Sequence, residues 1–404
     1  MTTTDTPAVD VKAHLRTPLF RTLTLGWFLT NFADSVLVLI FAVWVADLTG
    51  SPALGGATFA ALGIPALASP LLGHLADRLS RRRMLTVTYA FGVVTLVPLY
   101  LVHDAGDIWI IYTVTVLYST VAYVTAACQS GILKDLLPDE ALGRANARFQ
   151  TIDQVCRLTL PFLGAAVYAW ADMTPLITAS IVAFAGAAVI FGRLRLHETH
   201  LSALREGKRL SGATAGFRHL FTARPLGGLT RAMLVAVAIT GLLNAAVFAI
   251  LDGLGIPAVM LGPVTVFQSL AGVVAALLAP RLMDRFGRVR VVAGGITLLG
   301  VGMIPLIFPF VPTAMLAMGL VGFAVTPVVI AFVTERQVAT PPELQGRTST
   351  ASHLVLNFPQ VVLTLVGAAV LPFVDYRLLI ALTAVICVLA GFTSFRIRPA
   401  AATQ

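Results

Sequence analysis

Residues 73–83 read Gly-His-Leu-Ala-Asp-Arg-Leu-Ser-Arg-Arg-Arg, and residues 284–288 repeat the central pattern as Asp-Arg-Phe-Gly-Arg. The two aspartates lie 207 positions apart (284 − 77). The tetrapeptide Gly-Ala-Ala-Val likewise occurs at 164–167 and at 367–370, an offset of 203 (367 − 164). Offsets that stay nearly constant along a chain indicate duplication of one ancestral segment. The sequence therefore predicts two halves of the same architecture.

Apolar residues dominate the 404-residue chain, in which 57% of residues are hydrophobic and only 12% are charged. They form about twelve runs long enough to cross a bilayer, and backbone groups in lipid must hydrogen-bond within their own helix. We therefore predict an all-α membrane protein with twelve transmembrane helices in two pseudo-symmetric six-helix bundles. The predicted spans are 22–46, 53–75, 84–102, 108–133, 149–170, 175–194, 232–251, 257–280, 291–309, 312–334, 351–372 and 377–395.

Basic residues are distributed unevenly among the connections between the predicted spans. Of the 28 Lys and Arg residues, all but Arg157 and Arg377 fall on one side of the membrane. Because short cytoplasmic loops are rich in Lys and Arg, this side is predicted to be the cytoplasm, with both termini in it. We expect a multi-pass protein of the plasma membrane, the inner membrane in bacteria. Since the bases alternate with apolar runs, the net charge of +9 does not indicate nucleic-acid binding.

The longest polar connection separates two groups of six predicted spans. It predicts an N-terminal bundle at 1–196, a basic cytoplasmic linker at 197–224 and a C-terminal bundle at 225–404. Duplicated bundles of this kind are typical of secondary transporters, in which one bundle rocks against the other around a central site. The repeat therefore favours a transporter that works by alternating access.

Three segments resemble a known family. The segment 73–83 and its copy resemble the cytoplasmic loop motif of the major facilitator superfamily, where charge pairing closes the cytoplasmic side. Residues 134–147 resemble a loop in the branch of that family that contains siderophore and multidrug exporters. Residues 160–165, Leu-Pro-Phe-Leu-Gly-Ala, resemble the Gly-Pro-x-x-Gly-Gly signature of proton-coupled antiporters, with Leu and Ala at two glycine positions.

This resemblance implies a proton-driven exporter of small amphiphilic molecules, such as drugs, secondary metabolites or siderophores. It also implies a cytoplasmic gate formed by the motif residues Gly73, Asp77, Arg78, Arg81, Asp284, Arg285, Gly287 and Arg288. In the antiporter-like helix the residues that match are Pro161 and Gly164. For Arg82 and Arg83 we favour a purely topological role.

Asp34 is an acidic residue near the middle of the first predicted span. An ionisable group at bilayer depth costs roughly 2.5–3.5 kcal/mol or more, so its presence needs a reason. A proton bound there would compete with a cationic or polar substrate, as proton coupling requires. We therefore predict that Asp34 couples proton movement to transport or contacts the substrate. A structural pairing with Arg157 or with a helix end is the alternative.

Polar residues recur at matching positions of the two halves. Three of them have the i, i+4, i+7 spacing of one helical face: Gln150, Gln154 and Arg157. Adding 203 to each number gives a second polar face: His353, Asn357 and Gln360. Since lipid does not solvate such residues, both faces are predicted to border an interior surface between the halves.

Other polar residues within the spans are further candidates for the cavity lining. They are Asn31, Asn244 and Gln268, and a stripe on the fourth predicted helix with Thr115, Tyr118, Thr125 and Gln129. Hydrogen bonding between helices is the alternative role for each of them. For Arg157 the alternative is an ion pair with Asp153, four residues earlier on the same helix.

No motif for another chemistry occurs in the sequence. It contains no P-loop, no G-x-S-x-G, no H-E-x-x-H and no Cys/His spacing of a metal site. We therefore expect no enzyme activity, no cofactor and no bound metal. The expected partners are a small-molecule substrate, protons or another cation, and the lipid bilayer, with the protein a monomer. A lipid or lysolipid flippase and a non-transporting membrane sensor are the alternative functions.

Overall fold

The computed structural model describes residues 11–196, 198, 214–255 and 261–397, and within these ranges the chain contains no β-strand. The helices of the first half are α1 (Val11–Arg16), α2 (Pro18–Thr49), α3 (Pro52–Gly63), α4 (Ser69–Arg78), α5 (Arg81–Leu96), α6 (Ile108–Leu136), α7 (Asp139–Ala171) and α8 (Thr174–Arg193). Those that follow are α9 (Ala215–Thr222), α10 (Leu226–Gly253), α11 (Leu261–Phe286), α12 (Arg288–Met303), α13 (Val311–Ala339), α14 (Gln345–Val370) and α15 (Tyr376–Ser394).

The helices form six membrane passes in each half, which confirms the predicted fold. Ten helical segments of the described ranges are long and apolar enough to cross a bilayer. The second pass is interrupted, because the 3₁₀ turn Ile64–Ala68, which contains Pro65, separates α3 from α4. The fifth pass, α7, is continuous but begins with Asp139 and Glu140, well before the predicted span 149–170. A proline break and charged helix turns therefore distinguish these two passes from the other ten.

Polar caps and a glycine set the ends of long helices. Thr17 Oγ1 accepts a hydrogen bond from the N–H of Phe20 at 3.3 Å, and Pro18 occupies the first position of α2. The same helix ends at Gly50, whose φ of 65° lies in the left-handed region that favours glycine. Thr17 satisfies a backbone N–H group that the helix leaves unpaired at its start, and Gly50 lets the chain turn away where the helix ends.

Each half has a hydrophobic core of its own. The first-half core contains buried aromatic side chains such as Phe20 and Phe184. The second-half core is mainly aliphatic, with Ile296 and Ile380 fully buried, and takes in Ala147 from the first half. Because each core lies almost entirely within one half, relative motion of the halves would change few of the core contacts. The boundaries at 196 and 225 stay a prediction.

A short helix, α9, lies inside the predicted linker 197–224. It packs against the beginning of α14, and His219 Nε2 lies 3.0 Å from the main-chain oxygen of Ala339. Gly216 permits this approach, because a Cβ there would come within 2.9 Å of Arg347 Cβ. The described part of the linker is therefore in contact with the second half.

Successive passes alternate in direction, so the connections between them fall at two ends of the bundle. The loops α4–α5, α6–α7, α11–α12 and α13–α14 lie at one end together with α1 and α9, and these regions carry most of the Lys and Arg. We call this the basic end. The loops α2–α3, α5–α6, α7–α8, α12–α13 and α14–α15 lie at the opposite end.

Candidate functional site

A cavity of about 740 Å³ extends along the inside of the second half. Its lining comes from α10 to α14 and from residues just beyond the ends of α10 and α12, and it is mostly aliphatic. Leu254 and Ala314 border it near the opposite end, and Arg336 borders it near the basic end. Ala314 and Arg336 are 22 residues apart on α13 (336 − 314), or about 33 Å at the helical rise. The space therefore suits an elongated, largely apolar molecule.

Five of the predicted cavity residues border this space: Asn244, Gln268, His353, Asn357 and Gln360. Gln360 Nε2 donates a hydrogen bond to Thr240 Oγ1 at 3.1 Å. Asn357 Nδ2 donates to the main-chain oxygen of His353 at 2.8 Å. The polar face on α14 thus borders the cavity, although part of its hydrogen-bonding capacity is already used within the protein.

Asp34 lies on α2 in the first half, and it is not part of this lining. The hydroxyl of Tyr118, on α6, donates a hydrogen bond to Asp34 Oδ1. Tyr118 is packed among aromatic rings, with the centroids of Phe41 and Phe184 at 6.3 and 6.0 Å from its own. Asp34 also lies within electrostatic range of Arg157. The structure therefore brings together a predicted coupling carboxylate and a predicted polar residue of the fourth pass.

Other first-half candidates have local contacts and do not line the cavity. Arg157 Nε donates to both carboxylate oxygens of Asp153 at 3.0 Å, and the Arg157 side chain is 56% exposed. This is the intrahelical ion pair given above as the alternative. Asn31 Nδ2 donates to the main-chain oxygen of Trp27 at 2.9 Å. Gln129 is half-buried.

Gln154 connects the two halves. Its Nε2 donates to Thr326 Oγ1 on α13 at 3.1 Å. Gly272 on α11 lies beside this hydrogen bond, since a Cβ there would be 2.6 Å from Gln154 Nε2 and 3.1 Å from Thr326 Oγ1. The helices α7, α11 and α13 therefore meet closely at a polar contact.

The basic end is closed by contacts around Asp77, the fully buried aspartate of the loop motif. Its Oδ1 accepts a hydrogen bond from the N–H of Gly346 at 2.7 Å. Its Oδ2 accepts from the N–H of Arg347 at 2.9 Å and from Nε of the same residue at 3.0 Å. Because both partners lie in the first turn of α14, the carboxylate also faces the positive end of that helix dipole. Asp77 therefore joins α4 of the first half to α14 of the second.

Arg81 extends this contact. Its buried guanidinium donates to Asp135 Oδ2 at 2.9 Å through Nη1, and to the main-chain oxygen of Pro342 at 2.6 Å through Nη2. Pro342 belongs to the second half, so this arginine also crosses between the halves. Arg78, by contrast, is exposed. Within the first copy of the motif, the residues that join the halves are therefore Asp77 and Arg81.

The second copy of the motif is more exposed. Asp284 Oδ2 accepts a hydrogen bond from Arg144 Nη2 at 2.8 Å, and the Asp284 side chain is 60% exposed. Arg288 Nε lies 2.5 Å from Glu335 Oε2, which belongs to the same half. Gly287 separates α11 from α12 with a φ of 80°, a conformation that favours glycine. The motif aspartate is thus buried in the first copy and solvent-accessible in the second.

Two glycines allow α4 and α14 to touch. A Cβ on Gly73 would lie 2.7 Å from the main-chain oxygen of Gly346 and 3.1 Å from Arg347 Cα. A Cβ on Gly346 would lie 2.7 Å from Asp77 Oδ1 and equally close to the main-chain oxygen of Gly73. The two backbones therefore pack directly against each other, which a larger residue would prevent.

The remaining predicted residues do not line the cavity. Pro161 lies within α7, and Gly164 on the same helix faces α2, where a Cβ would be 3.4 Å from Ile40 Cγ1. The guanidinium of Arg285 lies 5.3 Å from the ring centroid of Phe286. In the described part of the chain, no group of three or more His, Cys, Asp or Glu side chains is arranged to hold a metal ion.

Two arginines that the structure buries are not among the residues predicted for the gate or the cavity. Arg347 and Arg336 are 1% and 4% exposed, although both lie where the sequence indicates loop charges. The repeat offset of 203 pairs Arg347 with Arg144 (347 − 144), and each contacts the motif aspartate of the other half. That offset is the sequence signal for Arg347. We find no comparable signal for Arg336.

The sequence matches the family model of the Major Facilitator Superfamily over residues 23–358 and 232–404. No curated protein is similar enough in sequence to count as a relative. Among solved structures, the human organic anion transporter MFSD10 (TETRAN) has a TM-score of 0.73 at 16% identity, over 93% of this chain and 98% of that chain. A bacterial homologue of the iron transporter ferroportin, in an outward-facing state, has the same TM-score, identity and coverage.

The structural similarity at 16% identity shows the fold, and the family model shows the relationship in sequence. Both extend over almost the whole length of the chain. The protein is therefore a multi-pass membrane transporter rather than an enzyme, and it belongs to the major facilitator superfamily.

Proposed function

We propose that this chain is a secondary active transporter that exports small amphiphilic molecules by proton antiport with alternating access. The supporting observation is the difference between the two ends of the bundle. The halves are joined at the basic end around Asp77, whereas the cavity extends towards the opposite end. With the basic end in the cytoplasm, as the positive-inside rule indicates, this arrangement is an outward-facing state. Rocking of the halves would produce the inward-facing state.

The lining of the cavity supports an amphiphilic cargo. Its volume of about 740 Å³ lies within the range of roughly 300–1,000 Å³ found for small-molecule sites. Aliphatic side chains form most of the wall, and a few amide, imidazole and guanidinium groups interrupt it. The similar structures are named as an organic anion transporter and as a bacterial homologue of an iron transporter, so the fold alone does not select the cargo.

Asp34 supports coupling to protons. Its carboxylate lies within the first pass and accepts a hydrogen bond from Tyr118, so protonation would change both the charge of α2 and this contact with α6. The hydrogen bond between Gln154 and Thr326 is one contact through which a change in the first half can reach the cavity-lining helix α13. We therefore assign proton binding to the first half and substrate binding to the second.

Proton flux in reconstituted vesicles tests this function. Growth-inhibition assays in an efflux-deficient host first select compounds against which the chain protects. The purified protein is then placed in vesicles that contain a pH-sensitive dye, and each selected compound is added. We expect a change in internal pH that depends on the compound. Movement of the compound without proton flux would refute antiport, and failure of every compound to cross would refute export.

We expect Gly73→Ala to slow transport about tenfold, because the added methyl group keeps α4 and α14 from closing the basic end. Gly63→Ala is the matched control, since it changes a glycine of the same pass whose Cβ would meet no described atom within 4 Å. Efflux from vesicles, normalised to inserted protein, compares the two variants. Equal rates would show that close contact of α4 with α14 is not needed for transport.

A further inference from the structure

Arg336 is a buried cation with no carboxylate partner in the part of the chain that the structure describes. It lies in the last turn of α13 and is 4% exposed. The neighbouring Glu335 contacts Arg288 instead. Arginine has five N–H donors, but among the described residues only Nη1 of Arg336 has an acceptor, the main-chain oxygen of Ser349 at 3.5 Å. Its Nε is buried without any acceptor there.

The guanidinium of Arg336 borders the end of the cavity that lies near the basic end. No Asp or Glu occurs among the lining residues whose side chains the structure describes. His353, the other ionisable residue of the lining, lies within electrostatic range of Arg336 and adds no negative charge. Towards the opposite end the wall is formed by residues such as Leu254, Leu306 and Ala314. The cavity therefore combines one cationic end with a long apolar wall.

An arginine cannot release its proton at physiological pH, so it cannot escape the cost of burial without a carboxylate partner by becoming neutral. We infer that the cavity binds a monoanionic amphiphile whose carboxylate contacts Arg336 and whose apolar part lies along α10 and α13. This rests on the proposed function for transport and adds the charge of the cargo. A cationic compound would meet the wrong sign of charge at this end.

Equilibrium binding in nanodiscs of phosphatidylcholine tests the inference. The probes are 1-pyrenebutyrate and its neutral amide, 1-pyrenebutyramide, with empty nanodiscs as the baseline for partition into lipid. Since a hydrogen bond to a charged group favours binding by roughly tenfold or more, we expect the carboxylate to bind at least about tenfold more tightly than the amide. Equal binding of the two probes to the unmodified protein would overturn the inference, whatever the variants do.

Substitutions then assign the preference to one side chain. We expect Arg336→Gln to abolish the preference for the carboxylate, and Arg336→Lys to keep part of it because lysine retains the charge but not the planar fork. Arg377→Gln changes an exposed arginine near the opposite end and should leave the preference intact. A preference that persists in Arg336→Gln would place the anion elsewhere.

Two further measurements distinguish this inference from binding of a lipid anion and from the antiport proposal. Replacing part of the phosphatidylcholine by phosphatidylglycerol should not block pyrenebutyrate, and complete block would mean that the site holds a bilayer anion instead of a free one. Binding in nanodiscs needs no proton gradient. Anion binding without proton-linked transport in vesicles would therefore refute the antiport proposal alone, whereas proton-linked transport of a cation without anion binding would refute this inference alone.

Discussion

Asp77→Asn is expected to shift the transporter towards states that are open at the basic end, and to slow transport by at least tenfold. The Asp77 carboxylate accepts three hydrogen bonds from Gly346 and Arg347 and meets the start of α14 with a full negative charge. Asparagine retains one acceptor oxygen, loses the charge and turns an NH₂ group towards N–H donors. Breaking a buried charge pair costs about 3–5 kcal/mol, which is enough to change a two-state equilibrium by more than a hundredfold.

Asp284→Asn is the matched control in the second copy of the motif. Its carboxylate has one contact, with Arg144, and both side chains are substantially exposed, so the expected effect is below about 1 kcal/mol. Spin labels at two exposed basic-end positions, Arg83→Cys and Arg218→Cys, report the separation of the halves by their distance distribution. The distribution should lengthen for Asp77→Asn only. Equal behaviour of the two asparagine variants would show that burial of the first copy does not hold this end closed.

The architecture was predictable from sequence because its signals are local. An apolar run of about twenty residues must form a helix in lipid, and the repeat offset places matching helices in matching positions. The exceptions have local causes too. Pro65 interrupts the second pass. The first turns of α7 are charged, so the hydropathy pattern does not show that this helix begins before the apolar span. A hydropathy pattern reports where a helix crosses lipid, and gives no information about how far it extends into water.

The site was less predictable because its contacts join distant parts of the chain. Asp77 and Arg347 are separated by 270 residues in sequence, so the motif identifies one partner and leaves the other unnamed. The sequence indicates Arg336 only as one of the charges on the predicted cytoplasmic side, because a buried arginine and a loop arginine look alike at the end of a span. The tertiary structure distinguishes them, since Arg336 is buried beside Ser349 of α14. The positions of His353 and Asn357 beside the cavity were predictable from the spacing of polar residues, because helical periodicity decides which side chains share a face.

The proposed coupling carboxylate and the cavity lie in different halves of this structure. The carboxylate proposed for coupling is in the first half, with Tyr118, and the cavity is in the second, with Arg336. A contact that responds to both sites is one way to carry a coupling free energy between them. Ser349 offers one, because its main-chain oxygen accepts from Arg336 and its hydroxyl donates to the main-chain oxygen of Ala126 on α6. An anion that draws the guanidinium of Arg336 away would therefore act on a residue that joins the halves.

Asp34→Asn is expected to abolish transport driven by a pH gradient while leaving insertion into the membrane intact. The substitution keeps the size of the side chain and an acceptor for Tyr118, but it removes the group that can bind and release a proton. Asp47→Asn is the matched control, since Asp47 also accepts a hydrogen bond from a tyrosine, Tyr168 at 2.7 Å, but lies exposed near the opposite end. The measurement is efflux of each selected compound from vesicles with and without an imposed pH gradient. Asp47→Asn should keep the acceleration that the gradient produces, and Asp34→Asn should lose it. Undiminished antiport in Asp34→Asn would remove this residue from the coupling mechanism.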